Sequence, residues 1–184
     1  SADGEYFVVG RGSGYFFQSS NSVYLFDKDS STPLWEFTGA GNYVREVSIS
    51  EDGEYITAYS TDEKVYFFNK NSSTPLWTYE TGAVGYVAIS AYGKYTVAGS
   101  EDDNVYLFHK GSNSSLWNYA ADDIIHSVSI SADGEYIAAG SYDNKVYLFD
   151  KDSSTPLWTY SAGGDVEIVS ISADGEYLVA GSKD

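Results

Sequence analysis

The chain has 184 residues, of which 42% are hydrophobic and 17% aromatic, so it can bury a core without disulfide bonds. It contains no cysteine, which excludes a disulfide framework, a thiol nucleophile and cysteine-ligated zinc. Its net charge of −17 at pH 7 repels nucleic acid and anionic lipid, and it has no run of 18 apolar residues, so we predict neither nucleic-acid binding nor membrane insertion.

A turn phrase recurs along the whole chain and divides it into units. It stands as SADGEY at Ser1, SEDGEY at Ser50, SAYGKY at Ser90 and SADGEY again at Ser131 and Ser172. Four tryptophans keep the same spacing, with steps of 42, 40 and 41 residues. A period of this size indicates a repeat architecture. We therefore predict one repeat domain with units 1–49, 50–89, 90–130 and 131–171 and a partial fifth unit, 172–184.

The first unit is irregular. Between Gly10 and Val23 it carries about seven residues more than the fourth unit has between Gly140 and Val146. The additional segment includes the strand-like letters YFFQSS. We expect a long hairpin or an additional strand at this place.

The fourth unit shows the strand pattern most clearly. It contains four short strand-like runs, at 135–141, 145–150, 156–160 and 166–172, and the run 145–150 is dense in β-branched and aromatic residues. Asp-Gly, Tyr-Asp-Asn and Asp-Ser-Ser-Thr-Pro separate these runs, and each is a turn signal: glycine accepts positive φ, Asp and Asn bond to their own backbone, and proline fixes φ. Because no window has a sustained period of 3.6 residues, we predict four strands in a meander for each unit.

The predicted strands are apolar on both faces. In the run 145–150, Tyr147 and Phe149 point to one face, and Val146 and Leu148 point to the other. A small sheet of this kind must be packed between copies of itself, and radial stacking achieves that. We therefore predict an all-β fold, a β-propeller of about four four-stranded blades. A linear β-solenoid is the alternative, although its coils usually need shorter repeats.

Two phrases of the fourth unit resemble known propeller families. The run SADGEYIAAGSYDNKVYLFD resembles the blade phrase of WD-repeat propellers, with Phe149-Asp150 in the place of Trp-Asp. The following DKDSSTPLW resembles the tryptophan-docking phrase of quinoprotein-like propellers. The resemblance covers nearly the whole chain and implies that four tryptophans lock neighbouring blades: Trp35, Trp77, Trp117 and Trp158. The Gly-His pair of the WD family is absent, so its buried Asp-His-Ser-Trp network is not expected.

The sequence offers few candidates for chemistry. It has no nucleophile elbow, no His-Glu-x-x-His motif and no Ser/His/Asp constellation, so we predict that the protein is not an enzyme. Docking tryptophans are structural, and they imply no quinone cofactor. The segments 150–153 and 27–30 alternate oxygen-bearing side chains as calcium loops do, but the twelve-residue spacing and the terminal bidentate Glu are missing. We predict no metal site and no cofactor, and calcium remains an alternative.

Comparison of the units singles out one variable segment. When they are aligned on Val47, Val87, Val128 and Val169, the third position before is always aliphatic: Val44, Val84, Ile125 and Val166. The two positions between are Arg45-Glu46, Gly85-Tyr86, His126-Ser127 and Glu167-Ile168. In WD-like propellers this segment enters the innermost strand at one rim of the central channel. The resemblance therefore implies a binding rim, formed by Tyr43, Arg45, Glu46, Tyr86, Asp123, His126, Asp165 and Glu167; neutral drift in exposed loops is the alternative.

The number of predicted strands does not match the number that a closed ring of four blades requires. Four closed blades need sixteen strands, and the residues from 22 to 172 supply fifteen, which leaves open the second strand of the first blade. Glu5–Gly10, Gly14–Ser19 or Glu176–Ser182 can fill this slot, and the first and last are nearly identical, GEYFVVG and GEYLVAG. A strand left without a sheet presents an edge to other chains. We therefore predict self-association through terminal strand exchange, which gives a closed ring or a filament.

These features together predict a non-enzymatic structural or self-assembling interaction module, at the cell surface or outside the cell. The acidic, cysteine-free composition favours that setting. Asn71-Ser-Ser and Asn113-Ser-Ser match the N-glycosylation pattern, and the alternative is that Ser- and Asn-rich turns generate such triplets by chance. The alternative function is a ligand-binding propeller that recognises, for instance, glycans with tyrosines and carboxylates at the rim. The predicted partners are other copies of the chain and, in the alternative, other proteins or glycans.

Overall fold

The computed structural model describes residues 1–12, 21–82 and 85–184, and in these residues the protein is all-β. The strands are β1 (Tyr6–Arg11), β2 (Ser22–Asp27), β3 (Trp35–Phe37), β4 (Val44–Ile49), β5 (Tyr55–Ser60), β6 (Lys64–Asn69), β7 (Trp77–Glu80), β8 (Gly85–Ile89), β9 (Tyr95–Ser100), β10 (Asn104–His109), β11 (Ser115–Ala120), β12 (Ile125–Ile130), β13 (Tyr136–Ser141), β14 (Lys145–Asp150), β15 (Trp158–Ser161), β16 (Val166–Ile171) and β17 (Leu178–Ser182). The predicted candidate strand Gly14–Ser19 lies outside the described residues.

The strands form five antiparallel sheets, and each sheet is a meander of consecutive strands. Sheet 1 consists of β1 to β3, sheet 2 of β4 to β7, sheet 3 of β8 to β11, sheet 4 of β12 to β15, and sheet 5 of β16 and β17. The first strands of sheets 2 to 5 pack side by side in chain order. This arrangement confirms the prediction of an all-β propeller of about four blades, with three complete four-stranded sheets between two partial ones.

The repeated turn phrase holds each second strand in place through its own side chains. In sheet 2 the hydroxyl of Ser50 donates to the Asp52 carboxylate at 2.6 Å and accepts the N–H of Tyr55 at 3.0 Å. Gly53 completes the turn with φ of +70°, which only glycine adopts without strain. The Asp-Gly signal of the sequence therefore corresponds to a tight turn that leads directly into β5.

The core lies between neighbouring sheets, because each sheet is apolar on both faces. Phe67 and Phe68 are adjacent in β6 and both fully buried. Phe68 packs toward sheet 1 with Leu25, whereas Phe67 packs toward sheet 3 with Phe108. This alternation is the physical reason for stacking, since a sheet with only one covered face would leave aromatic side chains in water.

Both terminal strands belong to a sheet. Of the three predicted candidates for the second strand of the first blade, the segment at Glu5–Gly10 fills the slot, since β1 pairs with β2. The segment at Glu176–Ser182 pairs with β16 as β17. Among the described residues β1 and β16 do not pair, so sheets 1 and 5 remain separate and incomplete. The strand count predicted that one terminal strand would remain unpaired. Both are paired, because the ring is open and sheets 1 and 5 each hold one of them.

Candidate functional site

Three of the four tryptophans connect their sheet to the next one. The indole N–H groups donate to backbone carbonyls, from Trp35 to Lys70 at 2.7 Å, from Trp77 to Lys110 at 3.1 Å and from Trp117 to Lys151 at 2.7 Å. The same rings meet a phenylalanine of the next sheet, at 5.5 Å for Phe68, 5.4 Å for Phe108 and 5.4 Å for Phe149. Each indole thus buries apolar area and satisfies its one donor at the junction of two sheets.

Trp158 occupies the equivalent position in sheet 4, but the following sheet, sheet 5, has no third strand in the described residues for it to contact. It is 43% exposed, and Tyr160 beside it is 64% exposed. Tyr119, the equivalent of Tyr160 in sheet 3, instead packs edge-on against Phe149 at 5.2 Å. The difference arises because sheet 5 has two strands in the described residues and lacks the third, which in sheets 2 to 4 carries the phenylalanine and is followed directly by the lysine. Within one chain, Trp158 therefore locks no blade.

An apolar groove lies beside Trp158. It encloses about 470 Å³ and is lined mainly by Val146, Trp158, Tyr160, Leu178 and Ala180. The groove occupies the place where a third strand of sheet 5 would pair with β17 and pack on sheet 4. We call this groove and the exposed outer strand β15 the trailing end.

The opposite end of the protein, the outer face of sheet 1, is also uncovered. Its apolar side chains are Phe7, Val9, Tyr24 and Phe26. Phe7 and Val9 are 46% and 41% exposed, and the ring of Phe7 stacks on that of Phe26 at 4.9 Å. The equivalent residues of sheet 2 are Ile56, Ala58, Tyr66 and Phe68, none of which is more than 4% exposed. We call this surface of sheet 1 the leading end.

A tyrosine–aspartate pair that sequence reasoning missed joins each complete sheet to the turn before its first strand. Tyr66 donates its hydroxyl to Asp62 at 2.6 Å, Tyr106 donates to Asp102 at 2.6 Å, and Tyr147 donates to Asp143. The backbone N–H groups of Gly41, Gly82 and Asp122 donate to the same carboxylates. Burial and the neighbouring carboxylate raise the pKa of all three tyrosines, so the hydroxyls remain donors. The signal was present in the sequence as a fixed spacing of four residues.

The aspartate of this pair is also present in sheet 5, but without its tyrosine. The Asp184 carboxylate accepts the N–H of Gly163 at 3.2 Å, as its equivalents do. No third strand follows β17 in the described residues, so no tyrosine reaches Asp184. The trailing end thus presents the Asp184 carboxylate, whose equivalents in the complete sheets each accept a tyrosine hydroxyl.

The predicted rim residues of sheets 2 to 5 meet in a hydrogen-bonded row. Arg45 Nη2 donates to the Tyr86 hydroxyl at 3.1 Å, and that hydroxyl lies 2.9 Å from His126 Nε2. His126 Nδ1 lies 3.1 Å from the carbonyl oxygen of Glu167. Since each residue enters from a different innermost strand, the row crosses four sheets at one rim.

Two further side chains flank the end of this row. The ring of Tyr142 stacks on His126 with centroids 4.5 Å apart. Lys183 lies over Tyr142 at 5.0 Å and forms an ion pair with Glu167 at 2.5 Å. The hydrogen bond from Lys183 holds the pKa of Glu167 below its usual value, so the carboxylate stays ionised. Lys183 also pairs with Asp165 at 3.2 Å, which brings this predicted residue to the rim.

The remaining predicted rim residues lie beside the row. Glu46 accepts the N–H of Val87 at 2.7 Å and so links β4 to β8, and burial raises the pKa of its carboxyl. Tyr43 precedes β4 and is 41% exposed. Asp123 precedes β12, where its carboxylate accepts the N–H of Ile124 at 2.8 Å. The structure therefore places these three at the entrances of the innermost strands, outside the row itself.

The pairing of β8 differs from the alignment used to find the rim. In sheets 2, 4 and 5 the register shifts by one residue at a bulge, between Val44 and Glu46 in the case of β4. The strand β8 shows no such shift, and Gly85 pairs with Ser100 as Val44 pairs with Ser60. In sheet 3 a single residue, Tyr86, therefore stands between the paired residues Gly85 and Val87, and it pairs with Gly99. Val84 lies outside the described residues.

The two segments considered for calcium use their carboxylates within their own turns. Asp150 accepts the N–H of Asp152 at 2.8 Å, and Asp27 accepts the N–H of Asp29 at 2.9 Å. In the described ranges no three His, Cys, Asp or Glu side chains cluster so that they can hold a metal ion. The same part of the chain contains no helix of the length and apolarity that a membrane span requires.

Comparison with known proteins agrees with the fold. Stacked four-stranded meanders that are tied to one another by tryptophans define a β-propeller fold. Residues 31–69 and 114–150 match the family model of the WD domain, G-beta repeat. These two segments are similar to WD repeats, which agrees with the β-propeller fold of the chain. Each matched segment begins just before the tryptophan strand of one sheet and ends with the third strand of the next. No curated protein matches the chain.

Proposed function

We propose that this propeller is an interaction module that assembles with copies of itself through its two open ends. The observation that carries the proposal is that the ends present the two halves of one interface. The trailing end offers Trp158 and Tyr160, which repeat the residues that sheets 1 to 3 use to contact a following sheet. The leading end offers Tyr24 and Phe26, which repeat the residues that sheets 2 to 4 use to contact the preceding sheet.

Association of the two ends would repeat a contact that the chain already makes three times. Trp158 would donate to the carbonyl of Lys28, which follows β2 as Lys70 follows β6. Full burial of each large apolar side chain contributes about 1.5–3 kcal/mol. Because the two surfaces differ, the contact is head to tail, and repetition produces a closed ring or a filament.

A variant at the trailing end tests this proposal. Replacing Trp158 by Ala should weaken self-association at least about tenfold, since it removes the indole that fills the junction. Leu157→Ala is the matched control, because Leu157 is 53% exposed and its equivalents Leu34, Leu76 and Leu116 are equally exposed inside the chain. Sedimentation velocity over a concentration series measures both variants. Equal association of Trp158→Ala and the unmodified chain would contradict the proposal.

The proposed setting is the cell surface or the extracellular space, where such assemblies form structural layers or fibres. The net charge of −17 and the absence of cysteine support it. Asn71 and Asn113, the predicted glycosylation acceptors, lie in exposed turns, where a glycan can be attached without disturbing a sheet. Neither turn belongs to the leading or the trailing end.

A second candidate function, binding of a glycan or a protein at the rim, is favoured by the convergence of four sheets on one row of polar side chains. Tyr86 and Tyr142 supply aromatic faces there, and Arg45 supplies a cation. A glycan array probed with the labelled chain should show binding that Tyr86→Ala abolishes. Tyr92→Ala is the control, since Tyr92 is 71% exposed in the turn after β8, at the other end of that strand. Equal binding by both variants, or no bound glycan, would argue against glycan recognition.

A further inference from the structure

We infer that the self-assembly takes place by strand exchange, in which β2 of a second copy pairs with the free edge of β17 and releases its own β1. The inference rests on the proposed function and specifies which strands meet. The product is one composite sheet, with β16 and β17 from one copy and β2 and β3 from the next. This sheet has the four strands of sheets 2 to 4, and it fills the groove beside Trp158.

The strands β17 and β1 occupy equivalent positions, so one can replace the other. Tyr6 and Val8 of β1 pack against sheet 2. Tyr177, directly before β17, and Val179 within it hold the same places, and they are 70% and 67% exposed because no further sheet covers them among the described residues. After the exchange they would cover sheet 2 of the second copy where Tyr6 and Val8 lie now. The exchange therefore keeps that interface and adds the burial of Trp158 and Tyr160.

The tyrosine–aspartate pair decides which of the two strands remains in the composite sheet. Tyr24 is the equivalent of Tyr66, Tyr106 and Tyr147, each of which donates to an aspartate in the turn between the second and third strands. In the first unit the equivalent position is Ser13, so β1 brings no carboxylate to Tyr24. β17 brings Asp184, which already accepts the N–H of Gly163 and lacks a tyrosine. Pairing of β17 with β2 would bring the Asp184 carboxylate to the Tyr24 hydroxyl. Retention of β1 would leave this tyrosine without an aspartate.

The rim supports the same assignment. Lys183 follows β17 and forms the 2.5 Å ion pair with Glu167. The equivalent residue after β1 is Gly12, so replacement of β17 by the β1 of a second copy would leave Glu167 without that ammonium group. Retention of β17 keeps the ion pair and the end of the rim row intact.

Introduced single cysteines test the exchange. The chain contains no cysteine of its own, so only the introduced cysteines can form a disulfide. In sheet 4 Tyr136 lies directly opposite Asp150, and the same register would place Tyr177 opposite Asp27 of the second copy. We expect a mixture of Tyr177→Cys and Asp27→Cys chains to form, on mild oxidation, a disulfide-linked pair with one chain of each kind. Neither variant alone should form a linked pair in comparable yield. Directly opposed residues of antiparallel strands lie at a separation that a disulfide can span.

The control is a chain that carries Tyr136→Cys and Asp150→Cys together, which should form the equivalent disulfide within one molecule. If Asp27→Cys fails to fold, Leu178→Cys mixed with Phe26→Cys reports the same register. A rival arrangement, with β1 kept and β17 displaced, would instead link Ser170→Cys to Val8→Cys. Linkage of that rival pair, or absence of linkage in an associating mixture, overturns the exchange and leaves the proposed function standing. An unmodified chain that does not associate at all refutes the proposed function itself.

Discussion

Replacing Trp77 by Ala is expected to lower the free energy of unfolding by about 3–5 kcal/mol, the range for removing a large aromatic side chain from a core. Trp77 is 8% exposed, it stacks on Phe67 at 4.8 Å, and it donates to the carbonyl of Lys110. The substitution leaves a cavity between sheets 2 and 3 and leaves that carbonyl without its partner. Chemical denaturation at low protein concentration measures the effect.

Trp158→Ala is the matched control for this prediction, since the same residue type stands at the same position of the repeat. Trp158 is 43% exposed because sheet 5 offers it no third strand in the described residues, so we expect a loss of roughly 1 kcal/mol in the dissociated chain. Equal losses for the two variants would mean that exposure does not distinguish these positions. The assignment of an open trailing end would then be wrong.

Replacing Gly134 by Ala is the second substitution expected to have a large effect. Gly134 has φ of +79°, and a Cβ added there would lie 2.4 Å from Cδ2 of Tyr95 in the preceding sheet. Gly4 has φ of +72° in the equivalent turn of the first unit, and nothing lies within 4 Å of its added Cβ. Both variants carry the strain of a left-handed alanine, about 1–2 kcal/mol. Gly134→Ala should lose about 1–3 kcal/mol more, because it overpacks the junction of two sheets.

Thermal and chemical melts of the two glycine variants separate strain from packing. A Gly134→Ala chain as stable as Gly4→Ala would show that the turn does not press on the preceding sheet. A larger loss at Gly4 would place the first unit, rather than the sheet junctions, at the centre of stability.

The architecture was predictable because local signals repeat and agree. Asp-Gly turns, β-branched strands and residues such as Tyr147 and Phe149 on alternate faces all indicate the same two-sided sheet. The family match at 31–69 and 114–150 and the stacked sheets confirm that prediction. The rim prediction stays a prediction, although its residues Arg45, Tyr86, His126 and Glu167 lie in one row.

The environment of each repeat was not predictable from the repeat itself. Trp117 and Trp158 stand in similar phrases, yet one is covered and the other exposed, because exposure depends on whether the next sheet has its third strand. For the same reason the nearly identical segments GEYFVVG and GEYLVAG end in different partial sheets. The absence of a bulge in β8 was not predictable either, since an alignment without gaps cannot show that Gly85 takes the pairing position of Val44.

The central claim, that the two open ends bind each other, is tested most directly by the molar mass of the unmodified chain in solution. Multi-angle light scattering over a wide concentration range should give a mass that rises well above the 20.1 kDa of one chain. Trp158→Ala should stay near the monomer mass at the concentrations where the unmodified chain has associated. An unmodified chain that remains at 20.1 kDa up to the highest soluble concentration would contradict the account.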